Sequence, residues 1–354
     1  MNFRAEPAYR HGQPAPRCWS RWAPGRPTRR RCAAGGIPER EVVEIPRLLW
    51  WPILHGIILR RGRRAVRSKY ASIWTPEVAA DGVDRAPGPG ARRAAGRRRP
   101  QVLVRHAMPL RQPGIPAVLD ALRAEASRVL VLPMYPRYAA PPPPASPTGC
   151  CCNGRRRRAA CRVALRRRAP TTPATSARWP TGCRRTGASS RGERLILSFH
   201  GVPERSLTLG DPYHCQCHKT ARLLAERLGL PPEAVTVTFQ SRFGKAKWLE
   251  PYTEPTLKAL AAQGVKSVDV MCPGFVADCL ETLEEIAQEA RDAFIEAGGR
   301  TFHYVPCLNT EPAWIDALAA LAERHLQGWP TGEVADAADL ARQRERALAM
   351  GARD

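Results

Sequence analysis

The chain lacks any apolar segment long enough to cross a membrane. Its longest, Leu48–Leu59, holds twelve residues, whereas a bilayer-spanning helix needs about twenty. The amino-terminal residues also lack the apolar region of a secretory signal peptide. Neither a glycine-rich dinucleotide fingerprint nor a phosphate-binding loop is present. The sequence therefore predicts a cytoplasmic protein and gives no support to nucleotide binding.

Acidic residues are scarce, but only in parts of the chain. The 354 residues contain 56 Lys and Arg against 32 Asp and Glu, a net charge of +24. Residues 191–330, however, contain 14 basic and 18 acidic side chains. The basic excess lies in residues 15–38, 78–100 and 139–190, which are also rich in Pro, Gly and Ala. Such blocks are typical of disordered basic arms, and a nucleic-acid-binding surface is a second interpretation.

A third interpretation is that these stretches, together with residues 109–112, are coding sequence read in the wrong frame. GC-rich codons read out of frame yield Arg, Pro, Ala, Gly and Cys. A one-base shift can turn Cys18–Trp22 into VLVAL, Val78–Gly82 into SPLM and Pro170–Gly182 into HDPGYIGALAD. Because strand-like and motif-like text emerges each time, we favour this interpretation. The first domain would then be incomplete as written, without a readable first strand.

Residues 191–330 alternate between strand-like and helix-like segments. Apolar or β-branched runs end near Phe199, Gln240, Pro273 and Pro306, and a helix-like run follows each. This alternation predicts βαβ units around a parallel sheet, and pieces of the same pattern occur in residues 101–136. We therefore predict an α/β fold of two Rossmann-like, doubly wound domains with a cleft between them. The domains are residues 1–190 and 191–330, followed by a polar helical tail at 331–354.

A histidine and a glutamate are placed to face each other at the edge of the second sheet. His200 follows the predicted strand Arg194–Phe199, and Glu281 opens the predicted helix Leu280–Gly299. Ligands of open α/β sheets bind outside the carboxyl ends of the strands. The pair could therefore supply a base and a metal ligand. A histidine satisfied by local hydrogen bonds is the alternative.

Three glutamates, Glu281, Glu285 and Glu289, recur at four-residue intervals in that predicted helix. The spacing puts their carboxylates on one face, where like charges repel each other. An acidic stripe that opposes helix stability favours a route for protons or for a cation. The alternative is a solvated acidic face.

Two other patterns are weaker signals. The run His214–His218 (HCQCH) resembles a metal-binding knuckle, but zinc sites usually separate their cysteines by two to four residues and use a second pair. Trp248 and Phe243, in a predicted loop, could line an apolar cofactor pocket or pack in the core. The remaining cysteines of the second half are scattered, which is typical of core positions and of a reducing compartment.

Several motifs taken together resemble the ferrochelatase family. LSFHGVPERSL, GDPYHCQCHKT, FQSRFGKAKWLEPYT, CPGFVADCLETLEEI and VPCLN occur in the family's order between Leu195 and Asn309. VVEIPRLLWWPILHGIIL, KYASIWTPE and VLVLPMYP extend the resemblance into the first half. The out-of-frame readings VLVAL, SPLM and HDPGYI are similar to family text as well.

The resemblance implies a lyase that inserts ferrous iron into protoporphyrin IX, the last step of haem biosynthesis, on two Rossmann-like halves without a nucleotide. His200 matches the family's active-site histidine, a metal ligand or acceptor of pyrrole protons, and Glu281 matches the opposing glutamate of the iron site. Glu285 and Glu289 match an acidic ladder, a path for protons or metal. The implied porphyrin pocket consists of Trp248, Phe243, Ser198, Leu48, Leu49 and Trp50.

Iron and protoporphyrin IX are accordingly expected as substrates, with no tightly bound cofactor. No iron–sulfur cluster is expected, because no group of four cysteines lies near the carboxyl terminus. No nucleic-acid partner is expected, and peripheral membrane contact stays open. The sequence departs from the family at Pro109, Leu110 and Arg111, where Arg-Tyr-Gly is usual, and at Cys279, where His is frequent.

Four rival functions remain at this point. The first is a chelatase for another metal, such as cobalt, or for another tetrapyrrole, and the second is an inactive, damaged copy. The third is a non-catalytic porphyrin or haem binder, which would bind porphyrin without inserting metal. The fourth, of a different class, is a basic nucleic-acid-binding protein, whose binding would weaken steeply with salt.

Overall fold

A computed structural model describes residues 17–22, 69, 71–73, 102–107, 114–126, 128–134, 162–165, 192–242, 244, 246–329 and 336–352. In these ranges the chain forms two parallel four-stranded sheets. The elements of the first half are β1 (Arg17–Trp22), β2 (Val102–Ala107), α1 (Ile115–Glu125), β3 (Arg128–Pro133) and β4 (Arg162–Leu165).

The second half carries the longer run of elements. Its strands are β5 (Arg194–His200), β6 (Val235–Gln240), β7 (Ser267–Met271) and β8 (Thr301–Val305). Its helices are α2 (Glu204–Thr208), α3 (Tyr213–Leu228), α4 (Thr253–Ala262), α5 (Leu280–Leu283), α6 (Arg291–Glu296), α7 (Pro312–His325) and α8 (Ala337–Ala349). A short 3₁₀ turn, Pro232–Ala234, precedes β6.

The first sheet has the strand order β2-β1-β3-β4. β1 lies at its centre, where Cys18 is in register with Leu103 of β2 and Val129 of β3. As written, the sequence carries no strand pattern at Arg17–Trp22, yet a strand forms there, where the shifted reading VLVAL would place one. The physical reason is that a parallel ladder is built from backbone groups, which any residue other than proline can supply in full.

The second sheet has the order β6-β5-β7-β8, and every pairing in it is parallel. The four strands expected in this half are confirmed, with β5 extending one residue further to include His200. β5 is buried on both faces: Ile196 and Leu197 are fully enclosed. This is the pattern of a parallel strand covered by helices on both sides, and it leaves the carboxyl end of the sheet as the open edge.

One apolar cluster connects the two halves. It contains Val104 and Leu132 from the first sheet and Leu197 and Phe199 from the second, all nearly or fully buried. A separate cluster on the other face of β5 contains Ile196 and packs against the helices that follow β6 and β7. The α/β fold of parallel sheets predicted from the sequence is confirmed.

The helix expected over residues 280–299 is interrupted. A π-helical turn, Glu285–Ala290, separates α5 from α6. Its signature is a hydrogen bond of 2.9 Å from the backbone N–H of Glu289 to the carbonyl of Glu284, five residues earlier. The prediction of one regular helix is wrong here, because the one-residue shift in phase that a π turn introduces is too small to recognise in the hydrophobic pattern. Such turns are frequent at functional sites.

Candidate active site at the carboxyl end of the second sheet

His200 is the last residue of β5, between the ends of β6 and β7. Its side chain is half-buried, and in register with it on β6 stands Gln240. Since Ser198 and His200 are two residues apart on one strand, their side chains share a face of the sheet. The structure thus places His200 at the edge where open α/β sheets bind their ligands.

The ring of His200 has a defined tautomer. Its Nδ1 lies 2.6 Å from the carbonyl oxygen of Gly201. Because a carbonyl oxygen can only accept, Nδ1 must carry the hydrogen, and in the neutral ring Nε2 is left with a free lone pair. The backbone carbonyl of His200 accepts a 2.8 Å hydrogen bond from the hydroxyl of Tyr213 at the start of α3. Nε2 is thereby available as a base or ligand.

Two aromatic rings flank the histidine. The ring centroids of Trp248 and Phe275 each lie 6.4 Å from that of His200, both tilted by about 40–45°. Trp248 is 95% buried, and its backbone is bridged to Pro203 in the loop after β5. A Cβ at Gly201 would come within 2.9 Å of the Trp248 ring, so glycine permits this close packing. The result is an apolar wall beside His200.

Glu281 lies in the first turn of α5, and several hydrogen bonds secure that turn. Cys279 caps the helix, and the hydroxyl of Thr282 accepts a 2.9 Å bond from the Cys279 N–H. Just before it, buried Asp278 accepts bonds of 2.6 Å from both Tyr304 and Asn309. This network holds the amino terminus of α5 against the end of β8.

Glu281 itself is half-buried, and its backbone carbonyl accepts a 2.6 Å hydrogen bond from the side-chain amide of Gln240. Burial, and next the charge of Glu281, raise the pKa of the neighbouring Cys279 thiol well above its usual value. This shift favours the protonated thiol.

A cleft of about 480 Å³ opens next to Glu281. All the acidic side chains of this segment line it: Glu281, Glu284, Glu285 and Glu289. Three of these four were expected from the sequence, and Glu284 was not, because it does not share the four-residue spacing of the others. His200 is not among the described residues that line this cleft, whereas Gln240 lines it and bonds to the backbone carbonyl of Glu281.

Glu285 is held in place by Ser241, the residue after β6. Its two carboxylate oxygens accept bonds of 2.6 Å from the backbone N–H and from the hydroxyl of Ser241. Ser241 has φ of 62°, in the left-handed region that non-glycine residues rarely adopt. The two bonds to Glu285 offset this unfavourable backbone conformation.

Glu284 and Glu289 share one cation, Lys69 of the first half. The ammonium nitrogen lies 2.8 Å from Glu284 and 2.7 Å from Glu289. Burial lowers the pKa of Lys69, but hydrogen bonds to both carboxylates outweigh it and raise the pKa overall. For the carboxyl of Glu284, burial has the opposite effect and raises the pKa, and the hydrogen bond from Lys69 opposes that rise. Lys69 was not singled out from the sequence, since only the tertiary fold brings it here.

The porphyrin pocket expected from the sequence is placed only in part. Trp248 lies beside His200, as described above. Ser198, also expected there, is fully buried, and its hydroxyl donates a 2.7 Å bond to Gln240. Phe243, Leu48, Leu49 and Trp50 lie outside the described residues. Phe275 was missed, since a lone aromatic in a loop carries no pattern.

The HCQCH run forms the first turns of α3. Cys217 is fully buried in the core and Cys215 is exposed, so the two thiols do not face a common ligand. His214 and His218, four residues apart, lie with ring centroids 4.4 Å apart. Across the ranges that the structure describes, no group of three His, Cys, Asp or Glu side chains is arranged to hold a metal ion. Within the same ranges, no helix is both long and apolar enough to cross a membrane.

The family of this chain follows from its similarity to known proteins. The family model named ferrochelatase matches residues 37–326. The chain belongs to the ferrochelatase family. A ferrochelatase from Methylibium petroleiphilum is 50% identical over 365 residues, covering 99% of both chains. One from Polaromonas is 48% identical over 368 residues, 99% of this chain and 100% of that one, and one from Bordetella pertussis is 47% identical over 315 residues, 87% of each.

A solved structure supports the fold. SirB from Bacillus subtilis with Fe³⁺ superposes with a TM-score of 0.51 at 12% identity, covering 89% of this chain and 99% of its own. At that identity the likeness establishes the chelatase-type α/β fold alone. Family membership shows a metal-chelating lyase of haem biosynthesis, one that inserts a metal into a porphyrin.

Proposed function

We propose that this chain inserts ferrous iron into protoporphyrin IX to form protohaem. The observation that carries the proposal is the pairing of family membership with a base of defined tautomer: His200, at the end of β5, with its Nε2 free. Insertion exchanges two pyrrole N–H protons for one Fe²⁺, so the site must accept two protons while the metal enters. Iron and protoporphyrin IX are substrates, and no resident cofactor takes part.

His200 is the proposed proton acceptor and metal ligand. A neutral imidazole near pH 7 can take up a pyrrole proton at Nε2, while Nδ1–H stays bonded to the Gly201 carbonyl. The flanking rings of Trp248 and Phe275 keep the surroundings of the base apolar. Exclusion of water from this wall strengthens each interaction with a charged or metal-bound group.

Glu281 is the proposed second ligand. Imidazole and carboxylate together suit a divalent transition metal. Gln240 bonds to the backbone carbonyl of Glu281 and not to its carboxylate, so it does not compete with a metal for those oxygens. Glu285 and Glu289 extend the acidic lining toward the outer end of the cleft. We assign them to the path by which protons leave or metal arrives, with Glu284 as a further member.

The porphyrin is proposed to bind against Trp248, with Phe243, Leu48, Leu49 and Trp50 as further apolar contacts. A rigid apolar surface can hold the macrocycle bent, which turns the nitrogen lone pairs outward and exposes the pyrrole protons. We further propose that the protein works in the cytoplasm and can touch the membrane surface peripherally, where porphyrins partition. No nucleic acid is expected as a partner.

The test is an anaerobic insertion assay with purified full-length chain. Fe²⁺ and Co²⁺ are compared with protoporphyrin IX and with a sirohydrochlorin-type acceptor, and product is followed by its visible spectrum. Preferential formation of iron protoporphyrin supports the proposal. Preference for Co²⁺ or for the sirohydrochlorin acceptor identifies the rival chelatase. Tight porphyrin binding without insertion of any metal identifies a binder or a damaged copy.

A further inference from the structure

A buried polar chain lies beneath the candidate site. Ser198 and Thr253 are at most 3% exposed, and their hydroxyl oxygens lie 2.9 Å apart. The Ser198 hydroxyl donates to Oε1 of Gln240 at 2.7 Å, and the Cys272 thiol approaches the same oxygen at 3.6 Å. Gln240 is itself 96% buried. Buried polar groups of this kind are costly unless every one is paired. These hydrogen bonds therefore hold the side-chain amide of Gln240 in one orientation.

The orientation of that amide follows from its partners. Nε2 of Gln240 lies 2.6 Å from the backbone carbonyl of Glu281 and 3.4 Å from a carboxylate oxygen of Glu285. A carbonyl and a carboxylate can only accept, so the nitrogen must face them and the oxygen must face Ser198. The amide therefore acts as a donor toward α5.

The backbone of the same residue holds His200. Gln240 is in register with His200 in the parallel ladder, and its carbonyl accepts a 2.7 Å bond from the N–H of Gly201. Gly201 is in turn the acceptor for Nδ1 of His200. In the described part of the chain, Gln240 is thus bonded on one side to the segment of the base and on the other to the helix that carries the glutamate.

We infer that Gln240, oriented by Ser198, is a positioning residue that sets the placement of Glu281 relative to His200 for metal insertion. This inference rests on the proposed function of those two residues. A displacement of a reacting group by about 1 Å costs on the order of 100-fold in rate. A residue that fixes the positions of both groups can therefore affect the rate strongly. An amide does this without adding a net charge that would repel or compete with an incoming cation.

Two variants test the positioning role of Gln240. Gln240→Met keeps the approximate shape of the side chain and removes every hydrogen bond of its amide. Ser198→Ala leaves Gln240 in place without its orienting donor. The matched control is Thr220→Val, which removes a buried 2.7 Å hydroxyl bond in α3 away from the cleft. We expect kcat of insertion to fall by about 10- to 100-fold in Gln240→Met and less in Ser198→Ala, with KM for porphyrin little changed. Thr220→Val should lose similar stability but retain kcat.

A second readout is independent of turnover. Co²⁺ is titrated into wild type, Gln240→Met, Ser198→Ala, His200→Ala and Glu281→Gln, and its d–d absorption bands report the ligands. We expect a site that needs both His200 and Glu281, and that binds Co²⁺ at least about tenfold more weakly when the Gln240 amide is lost, because two ligands no longer converge. If Gln240→Met fails to fold, Ser198→Ala carries the same comparison with a smaller change.

The outcomes separate the two proposals. Wild-type chain that binds Co²⁺ through His200 and Glu281 but inserts no iron contradicts the proposed function, and the Co²⁺ titration still decides the role of Gln240. Unchanged kcat and unchanged Co²⁺ affinity in both Gln240→Met and Ser198→Ala overturn the positioning role, whatever the substrate is. A fall in kcat matched by the Thr220→Val control also overturns it, because general loss of stability would then explain the effect.

Discussion

The backbone N–H of Glu289 donates to the carbonyl of Glu284, five residues earlier, at 2.9 Å. In a regular α-helix, residues five positions apart lie on different faces. The π-helical bond brings Glu284 and Glu289 onto one face, and both carboxylates contact the ammonium of Lys69. The turn also leaves Glu285 directed at Ser241. The acidic lining of the cleft is therefore a consequence of local helix geometry combined with a cation from the first half.

The first prediction concerns the pH dependence of stability through Glu284. Burial raises the pKa of this carboxyl, with Lys69 opposing the shift. A carboxyl whose pKa is higher when folded contributes stability below its ordinary titration range, and that contribution is lost as pH rises through the folded pKa. Glu284→Gln should therefore lose less stability than wild type as pH rises from the ordinary carboxyl range toward neutrality. Urea unfolding at several pH values measures this.

Glu254→Gln is the control for that experiment, because Glu254 is exposed and pairs with Lys258 one helical turn away. Exposed pairs of this kind contribute little, so its pH profile should follow wild type. Identical profiles for wild type and Glu284→Gln would contradict the assignment.

The second prediction is that His200→Ala abolishes metal insertion. Loss of the proposed proton acceptor and ligand should lower kcat/KM by at least about 1000-fold. The free energy of unfolding should change little, since His200 is half-buried and bonds mainly to Gly201. Steady-state insertion and urea unfolding are measured side by side. His303→Ala is the control: this second strand histidine bonds to Asp269, not to the site. Near-normal turnover in His200→Ala would refute the assignment.

The third prediction is that Glu281→Gln lowers insertion by about 100- to 1000-fold. The amide keeps the size of the side chain and removes the charge that would attract Fe²⁺, and the backbone bond from Gln240 is untouched. The initial rate at several Fe²⁺ concentrations is the measurement. Glu226→Gln, in an exposed pair with Arg222 on α3, should match wild type. An equal fall in both variants would show a general effect of net charge.

The fourth prediction is that Gly201→Ala destabilises the protein by about 1–3 kcal/mol and impairs insertion. A Cβ there would lie 2.8 Å from the Gln240 carbonyl oxygen and 2.9 Å from the Trp248 ring, so the strand end or the wall must shift. Urea unfolding and the insertion assay report the two effects. Gly274→Ala should be tolerated better, because its Cβ would first meet Phe199 at 3.4 Å, an ordinary contact.

The fifth prediction concerns the coding DNA. Sequencing across codons 15–38, 78–112 and 139–190 should reveal single-base changes that restore family-like strands, such as VLVAL at Cys18–Trp22. β1 and β4 lie inside these stretches, and backbone pairing is compatible with either reading. An unchanged DNA sequence would contradict the frame-shift interpretation, and salt-sensitive nucleic-acid binding by the purified chain would then support the basic-arm alternative.

Much of the second half could be predicted because its signals are local. The β-branched run before Gln240 and the glycine after α3 are short-range features, and strand and helix followed from them. The position of His200 at a strand end also followed, since a buried run that stops at His-Gly-x-Pro has few other interpretations. The amphipathic run of α7 likewise became a helix.

What the sequence did not reveal has an equally specific cause. Ser198 was expected in the porphyrin pocket, and no sequence pattern indicated that its buried hydroxyl would bond to Gln240 of β6. The interruption at Glu285–Ala290 was missed because a π turn shifts the register of side chains without changing their apolar or polar character. In both cases the deciding contact comes from a residue more than 30 positions away or from one unusual backbone bond.

The amino-acid sequence by itself determined which segments became strands and helices in the second half and which residue types stand at their ends. Periodicity and turn residues act over a few neighbours, so these choices do not need the rest of the chain. Only the tertiary structure decided that Lys69 meets Glu284 and Glu289, and that Gln240 joins the segments of His200 and Glu281. Those contacts connect residues 39 to 220 positions apart, so no pattern among neighbouring residues specifies them, and they form only when the chain folds.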